Sequence, residues 1–370
     1  MKQRSALVLL LATFAAALVA AQAGYAGRAG DLVFVQTNEL SGNQVVVYDR
    51  GADGTLTRAG TYPTGGLGGA ALPGTESDRL ASQGSLAYDA QHRLVIAVNA
   101  GSDTVSSFRV TGNRLALANV VPSGGQFPAS VGLHGNLVYV LNSGGTGIVQ
   151  GFRIGGGGLT PIPGSARTLG LANSNPPFFL TSPGQLGFTP DGNHLIVTTK
   201  VSGSLIDVFQ VEPDGTLSAA PVANPSATPV PFAFTFAHGK LVMGEAGTSS
   251  LTTYDVQHDG TLTGPKSQSD GQAALCWVTR VGRFFFVSNT GTSTISSFRL
   301  GPGGQPLLLN AVAASTNPGT IDSAKSGRFL YAETGTQGTV DEFRVEGDGS
   351  LTPLGSATDL PPGIEGIAAS

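Results

Sequence analysis

Short apolar segments alternate with polar turns along most of the chain. The segments at 104–108 and 294–298 alternate apolar and polar residues, which is typical of strands with one buried face. Other segments, such as 137–141, are apolar throughout. Turns rich in Gly, Asp and Asn separate these segments. The pattern predicts an all-β fold that is built from many short antiparallel strands.

These segments recur as a unit of four strands. An aromatic residue near the end of the third strand occurs seven times, and a polar or glycine turn follows it each time. Successive aromatics are 60, 44, 57, 45, 44 and 45 residues apart. A period of 44–45 residues matches one blade of a β-propeller, and the two longer spacings predict insertions at 66–82 and 165–183. The seven aromatics are Tyr48, Phe108, Phe152, Phe209, Tyr254, Phe298 and Phe343.

The two ends of the repeat region predict how the ring closes. The repeats begin at 32–37 with a second strand, and they finish at 364–367 with a segment that resembles a first strand. If this last strand joins the N-terminal blade, no open sheet edge remains. The sequence therefore predicts one domain at 24–370, a seven-bladed β-propeller with four-stranded antiparallel blades that is closed by its C-terminal strand.

The first 23 residues have the organisation of a secretory signal peptide. Lys2 and Arg4 precede an apolar run at 6–21, and small residues follow, with cleavage expected after Ala23 or Ala26. The alternative is a retained membrane anchor, because the run is near the minimum length that spans a bilayer. We expect cleavage, a secreted or periplasmic location, and no membrane span in the mature protein.

Composition and charge narrow the possible functions. The formal net charge is -4 and no basic stripe is present, which argues against nucleic acid as a partner. The 54 Gly and 22 Pro residues exclude long helices. The single cysteine, Cys276, excludes an intramolecular disulfide and is expected to be buried and unreactive, and Trp277 is expected to pack in the core. We predict a monomer without a metal or a cofactor.

Two recurring segments resemble those of a known family. The chain contains LVYVLN at 137–142 and TPDG at 189–192, which are similar to segments of the lactonase family of seven-bladed propellers. This family includes the propeller-type 6-phosphogluconolactonases and the carboxymuconate cyclases, and it is related to YVTN-repeat surface proteins. The resemblance extends over about residues 31–370. It implies hydrolysis of a lactone ring without an obligatory metal.

The chain departs from this family at one motif. Enzymes of the family commonly carry a Pro-Arg-His triplet that opens a blade, and the best match in this chain is PGQ at 183–185. Both the arginine and the histidine of the triplet are therefore replaced. This departure argues against activity on a phosphosugar lactone.

Candidate catalytic residues follow the second strands. The turns at the ends of these strands share one face of a propeller with the connections between blades, where ligands commonly bind. Asn occupies this position four times, and its turn chemistry is a sufficient explanation. Turn chemistry explains Lys200, Glu245 and Glu333 less well. We predict Glu245 or Glu333 as the base that activates water, and Lys200 or Arg79 as the group that stabilises an oxyanion.

Candidate substrate-binding residues lie on the same face. Long insertions on a rigid scaffold often carry binding residues, and the second insertion adds the apolar pair Phe178 and Phe179. The alternative is that the insertions only plug the channel. All five histidines are expected at turns on the opposite face, so histidine is not expected to take part in catalysis. The predicted substrate-binding residues are Asp78, Arg79, Gln83, Gln185, Asn99, Asn142 and Asn289.

Two functions remain open from the sequence. The first is a secreted lactone hydrolase. The second is a non-catalytic extracytoplasmic propeller that binds a small molecule, a wall polymer or a protein partner. If the protein is an enzyme, we expect Glu245, Glu333 and Lys200 to converge on one pocket with buried acids, whereas wide separation around an open rim favours the binding protein.

Overall fold

The computed structural model describes residues 31–71 and 77–370, which form seven antiparallel sheets arranged as a ring. The predicted signal peptide lies outside the described residues. Within them, no helix is both long and apolar enough to cross a membrane. The seven-bladed β-propeller expected from the repeat is confirmed.

Each blade runs from an inner first strand to an outer fourth strand, and one short 3-10 helix lies at Pro302–Gly304. The strands are β1 (Leu32–Gln36), β2 (Gln44–Arg50), β3 (Leu56–Pro63), β4 (Leu86–Asp89), β5 (Leu94–Asn99), β6 (Thr104–Thr111), β7 (Arg114–Pro122), β8 (Pro128–His134), β9 (Leu137–Asn142), β10 (Ile148–Gly155), β11 (Gly158–Pro161), β12 (Arg167–Thr168), β13 (Leu186–Phe188), β14 (His194–Thr198), β15 (Leu205–Gln210), β16 (Val222–Pro225), β17 (Pro231–Ala237), β18 (Lys240–Glu245), β19 (Ser250–Val256), β20 (Leu262–Ser269), β21 (Leu275–Val281), β22 (Phe284–Asn289), β23 (Thr294–Leu300), β24 (Pro306–Ser315), β25 (Thr320–Ser326), β26 (Phe329–Thr334), β27 (Thr339–Val345), β28 (Leu351–Ala357) and β29 (Ile367–Ala369). Blade 1 consists of β29, β1, β2 and β3, blade 2 of β4–β7, blade 3 of β8–β12, blade 4 of β13–β16, blade 5 of β17–β20, blade 6 of β21–β24 and blade 7 of β25–β28.

The ring closes as the sequence predicts. Strand β29 pairs antiparallel with β1, with Ala369 opposite Val33 and Ile367 opposite Val35. The strand begins three residues later than the start of the predicted segment at 364–367. Glu365 explains the difference, because its carboxylate turns inward and accepts a hydrogen bond from the backbone N–H of Leu80 (2.5 Å).

The middle strands of each blade carry the core. Strands β5, β22 and β26 are buried at every position, whereas every position of the outer strands β3 and β20 is half-buried or exposed. This difference arises because the second and third strands are packed between neighbouring blades. The seven repeat aromatics are at most 2% exposed. They mark the core positions of the repeat.

A recurrent turn joins the third and fourth strands. At Asp53 the carboxylate accepts hydrogen bonds from the backbone N–H (3.1 Å) and the hydroxyl (2.8 Å) of Thr55, and these bonds lower its pKa. The residue between them, Gly54, has φ of +97°, a conformation that favours glycine. The same arrangement recurs at Asp214, Asp259 and Asp348.

The first insertion crosses the inside of the ring. Its residues 78–85, which we call the channel plug, hydrogen-bond to inner strands of several blades. The carbonyl of Ser82 accepts a bond from the indole N–H of Trp277 on β21 (2.9 Å). The backbone N–H of Gly84 donates to the carboxylate of Asp322 on β25 (3.0 Å). The first insertion therefore plugs the channel, which is the alternative role that the sequence left open.

The second insertion begins within the outermost strand of blade 3. Strands β11 and β12 both pair with β10, so the fourth strand of this blade is divided into two pieces. The connection from β12 to β13 then passes over the face that carries the other blade-to-blade connections. It brings Phe178, Phe179 and Leu180 to this face.

Candidate functional site

A cavity of about 320 Å³ lies on the face that carries the connections between blades. Both insertions and the loops and inner strands of blades 4, 5 and 6 surround it. This volume suits a small organic ligand. Its described lining includes the polar side chains of Asp78, Lys200 and Thr290 and the aromatic side chains of Phe179, Phe232 and Trp277.

Lys200 lies beside this cavity, two residues after β14. Its side chain is buried, and its backbone φ is +50°. The Nζ atom donates hydrogen bonds to the carbonyls of Ala81 (2.7 Å) and Phe179 (2.6 Å) and to the hydroxyl of Ser182 (2.9 Å). Burial lowers the pKa of Lys200 to about 8, although nearby acids oppose this effect. The ammonium thus joins both insertions to blade 4 and holds a positive charge at the cavity wall.

Asp78 and Glu365 form a pair of buried carboxyl groups next to the cavity. Burial raises the pKa of Asp78, while a hydrogen bond from Glu365 and the charge of Lys200 act in the opposite direction. Burial and the negative charge of Asp78 raise the pKa of Glu365 well above its ordinary value. The stronger rise at Glu365 favours the proton on this residue and the negative charge on Asp78.

A close backbone contact fixes the loop before the plug. A Cβ atom added at Gly335, in the turn after β26, would collide with the carbonyl oxygen of Ser77. Glycine at this position allows the loop to approach blade 7. The contact positions Asp78, the next residue along the chain.

Two further acids, Glu333 and Asp322, are buried close to the closing segment and the plug. Glu333 accepts a hydrogen bond from the backbone N–H of Gly366 (2.9 Å), and burial and the nearby Asp322 raise its pKa well above the ordinary value. Burial also raises the pKa of Asp322, to about 7. Within 31–71 and 77–370, no three His, Cys, Asp or Glu residues are grouped so that they could hold a metal ion.

Glu245 lies outside the cavity lining, in a cage of hydroxyl groups. It accepts hydrogen bonds from Ser226 (2.5 Å), Thr228 (2.6 Å) and Tyr254 (2.5 Å), and another from Thr252. A carboxylate held by four donors is poorly placed to take a proton from water. Of the three predicted catalytic residues, Lys200 lines the cavity, whereas Glu245 and Glu333 lie elsewhere, so these three residues do not converge on one pocket. A catalytic role for these residues remains a prediction.

The three predicted asparagines, at the ends of second strands, donate hydrogen bonds to hydroxyl and carbonyl groups of the protein. The Nδ2 atom of Asn99 donates to the hydroxyl of Ser106 (2.8 Å), and Asn289 makes the same bond to Ser296 (2.8 Å). Asn142 donates to the carbonyl of Ser123 (3.1 Å). These bonds run to neighbouring strands and loops instead of the turn backbone, and none of the three residues has a left-handed φ, so the turn chemistry expected of them is not observed. None of the three asparagines is among the described lining residues of the cavity.

The two predicted glutamines connect inner strands. Gln83 bonds to both backbone groups of Val278 (3.0 and 3.2 Å), and Gln185 accepts a bond from the backbone N–H of Phe234 (2.6 Å). Neither of them, nor Arg79, is among the described lining residues. Of the predicted substrate-binding set, Asp78 lines the cavity.

Two buried acids near the cavity, Glu365 and Asp322, were not predicted from the sequence. Cys276 and Trp277 were predicted only as core residues. Both acids lie inside or beside an apolar first strand, which is the feature that could have identified them. This feature is informative only once the ring topology shows which segments reach the site. Cys276 and Trp277 are buried as predicted, and both also line the cavity. The five histidines lie at the opposite face, at the first-to-second and third-to-fourth strand turns, as predicted.

We expect the free energy of unfolding to fall as pH rises from about 4 to about 7. The pKa of Asp322 is raised from 3.8 to about 7, so the folded protein binds a proton that the unfolded chain releases. This contribution is fully present below the unfolded pKa and is lost as pH rises through the folded pKa. Across this pH range, the decrease in the free energy of unfolding is expected to be smaller in the variant Asp322→Asn, by on the order of 4 kcal/mol.

Urea titrations at several pH values across this range measure the effect. Asp359→Asn is the control, because this exposed carboxyl has a lowered pKa and contributes with the opposite sign. A pH dependence that is equally steep in the Asp322→Asn variant would contradict the prediction.

Comparison with known proteins agrees with this fold. Residues 260–364 match the family model described as a lactonase, 7-bladed beta-propeller. This match agrees with the resemblance to the lactonase family found in the sequence, over the part of the chain that it covers. No curated protein matches the sequence.

Solved structures with 18–19% identity share the architecture. A candidate 6-phosphogluconolactonase from Bacteroides uniformis is 18% identical, with 90% of this chain and 98% of that chain covered and a TM-score of 0.67. The periplasmic gluconolactonase of Pseudomonas aeruginosa is 18% identical, with 92% and 99% covered and a TM-score of 0.68. A protein from Lactobacillus plantarum is 19% identical, with 91% and 98% covered and a TM-score of 0.67. At this level of identity the similarity shows the fold alone.

Proposed function

We propose that this protein is an extracytoplasmic lactonase that opens a lactone ring in the cavity between Asp78 and Lys200. The observation that carries the proposal is the carboxylate of Asp78, whose pKa is raised by burial at the wall of the cavity. A carboxylate with a raised pKa is a stronger base at neutral pH than an exposed one. The match of 260–364 to the lactonase family supports the class of reaction.

The reaction starts from a water molecule between Asp78 and the lactone carbonyl. Asp78 takes one proton while the water oxygen bonds to the carbonyl carbon, and the carbonyl electron pair moves to its oxygen. Lys200 stabilises this oxyanion through its positive charge. The tetrahedral intermediate then breaks the ring C–O bond, and Asp78 returns the proton to the leaving alkoxide. The product is the open hydroxy acid.

Two groups position the base. The hydrogen bond from Glu365 fixes the orientation of Asp78 and keeps a second negative charge out of the pair. Lys200 bonds to the carbonyl of Ala81 and thereby holds the loop that carries Asp78 (2.7 Å). Both act as positioning residues in this mechanism.

The choice of Asp78 differs from the two bases that the sequence favours. The four hydroxyl contacts of Glu245 and the absence of Glu333 from the described cavity lining support Asp78 instead. Glu245 and Glu333 remain the alternatives that variants must test.

Export is part of the proposal. The charged start and apolar run of the first 23 residues support it. The shared fold with the periplasmic gluconolactonase of Pseudomonas aeruginosa also supports an extracytoplasmic location.

The direct test is acid release in a pH-stat. Protein purified after expression of the full chain is assayed with glucono-δ-lactone, alkyl-substituted γ-lactones and dihydrocoumarin. We expect acid release above the buffer rate from at least one lactone. Absence of acid release from every member of the panel would contradict the proposal.

A binding protein without catalysis is the second candidate. It is favoured by the observation that all three N–H groups of Lys200 are donated within the protein, so this ammonium has no N–H left for an oxyanion. The single tryptophan, Trp277, lines the cavity, so its fluorescence reports occupancy. A lactone that changes this fluorescence without acid release would favour the binding protein.

A further inference from the structure

We infer that the cavity accepts uncharged lactones with a hydrocarbon substituent and disfavours hydroxylated or phosphorylated sugar lactones. This inference rests on the proposed lactonase function and adds the substrate class. It follows from the lining, the charges and the rim of the cavity.

The lining is mainly apolar. Phe232 and Trp277 form a continuous aromatic wall with ring centroids 4.8 Å apart, and Phe179, Leu180 and Val230 add further apolar surface. The hydroxyls of a sugar lactone would lose their hydrogen bonds to water against these side chains. A hydrocarbon substituent gains free energy from the same contacts.

The charges around the cavity also disfavour a phosphate. Among the described lining residues the cation is Lys200, whose three N–H groups are already donated to protein acceptors. Phosphate recognition depends on several charge-assisted donors that are free to bond. Asp78 carries a negative charge at the same wall, and it would repel an anionic substituent.

The apolar surface continues from the cavity to the solvent. Leu180 lines the cavity and is 40% exposed, and the neighbouring Phe178 and Val201 are 37% and 46% exposed. The backbone N–H of Val201 donates to the carbonyl of Leu180 (3.2 Å), so the turn after β14 and the second insertion form one rim. Exposed apolar groups at a cavity mouth often mark a binding surface. An alkyl chain on the lactone ring would lie along this rim.

The test is a homologous series of γ-lactones, from γ-butyrolactone through γ-octalactone to γ-decalactone. We expect kcat/KM to rise about threefold for each added methylene group until the cavity and rim are filled. Glucono-δ-lactone and its 6-phosphate are expected to be the poorest substrates. A kcat/KM for either sugar lactone above that for γ-decalactone would overturn the inference.

A pair of matched variants locates the effect. Leu180→Gln is expected to reduce the preference for γ-decalactone over γ-butyrolactone by a factor on the order of ten. Leu117→Gln is the control, because Leu117 is similarly exposed (47%) but lies on the outer strand β7. Equal preferences in the two variants would contradict a role for the rim.

Binding of an unreactive analogue separates this inference from the proposed function. The fluorescence of Trp277 is titrated with 2-alkyl tetrahydrofurans, which lack the carbonyl group. Affinity that rises with chain length, without acid release from any lactone, would support the apolar site and reject the lactonase. Acid release with no dependence on chain length in either assay would support the lactonase and reject the apolar substrate class.

Discussion

The variant Asp78→Asn is expected to hydrolyse lactones with a kcat lower than that of the natural protein by a factor of about 10² to 10⁴, the usual contribution of a general base. Asparagine keeps the shape of the side chain but cannot take a proton from water. KM is expected to change little, because apolar contacts dominate binding. The measurement is steady-state acid release with a γ-lactone in the pH-stat.

The control for this variant is another buried carboxyl with a raised pKa. Burial raises the pKa of Asp207 on β15 to about 6, and this residue is not among the described lining residues of the cavity. Asp207→Asn is therefore expected to retain the full kcat. If Glu245→Gln or Glu333→Gln lost activity while Asp78→Asn kept it, the base would be one of those two residues.

The expected pH dependence of lactone hydrolysis by the natural protein follows from the same groups. Activity is expected to rise with pH as the carboxyl of Asp78 loses its proton, at a pKa above the ordinary value. It is expected to fall again as Lys200 loses its charge near its pKa of about 8. The variant Asp78→Asn is expected to lose the rising part of this profile.

The variant Lys200→Met is expected to unfold more easily by roughly 3–5 kcal/mol at neutral pH. Methionine fills a similar volume, but the carbonyls of Ala81 and Phe179 and the hydroxyl of Ser182 lose a charged donor inside the protein. Urea unfolding monitored by the fluorescence of Trp277 measures the change.

A surface lysine provides the comparison for this variant. Lys240 pairs with Asp255 (2.5 Å) at a partly exposed position, and Lys240→Met is expected to cost less than about 1 kcal/mol. Equal unfolding midpoints for Lys200→Met and the natural protein would show that the buried ammonium contributes no net stability.

The sign of the pH effect adds a second check. The pKa of Lys200 falls from 10.5 to about 8 on folding, so between these values the unfolded chain binds the extra proton. The free energy of unfolding of the natural protein is expected to rise with pH across this range. This rise is expected to be absent in Lys200→Met.

The sequence was sufficient to predict the fold because its signals are local. The alternating segments and the spacing of the repeat aromatics depend on neighbours within one blade, and the structure buries all seven aromatics. The closing strand begins three residues later than the sequence predicts, and the cause is a contact with a distant part of the chain. The inward turn of Glu365 depends on Leu80, which lies 285 residues earlier in the chain.

The candidate site was predictable only in part, because it also depends on contacts between segments that are far apart in the sequence. Lys200 and Glu245 were both selected because neither residue type suits a turn, and that argument is local. Whether such a residue reaches a cavity depends on segments from other blades or connections. Lys200 meets Ala81 from the first insertion, whereas Glu245 meets Ser226 from the end of blade 4.

The channel plug makes the pairing of Asp78 with Glu365 depend on the order of synthesis. Asp78 emerges from the ribosome early, but Glu365 belongs to the segment that completes blade 1. Blades 2 to 7 can therefore form while Asp78 still lacks the hydrogen-bond partner that lowers its pKa against the effect of burial. A chain that stopped just before Glu365 would retain every described residue that lines the cavity, yet it would lack this partner. Lactone turnover in a nascent chain would thus report the moment at which the ring is sealed.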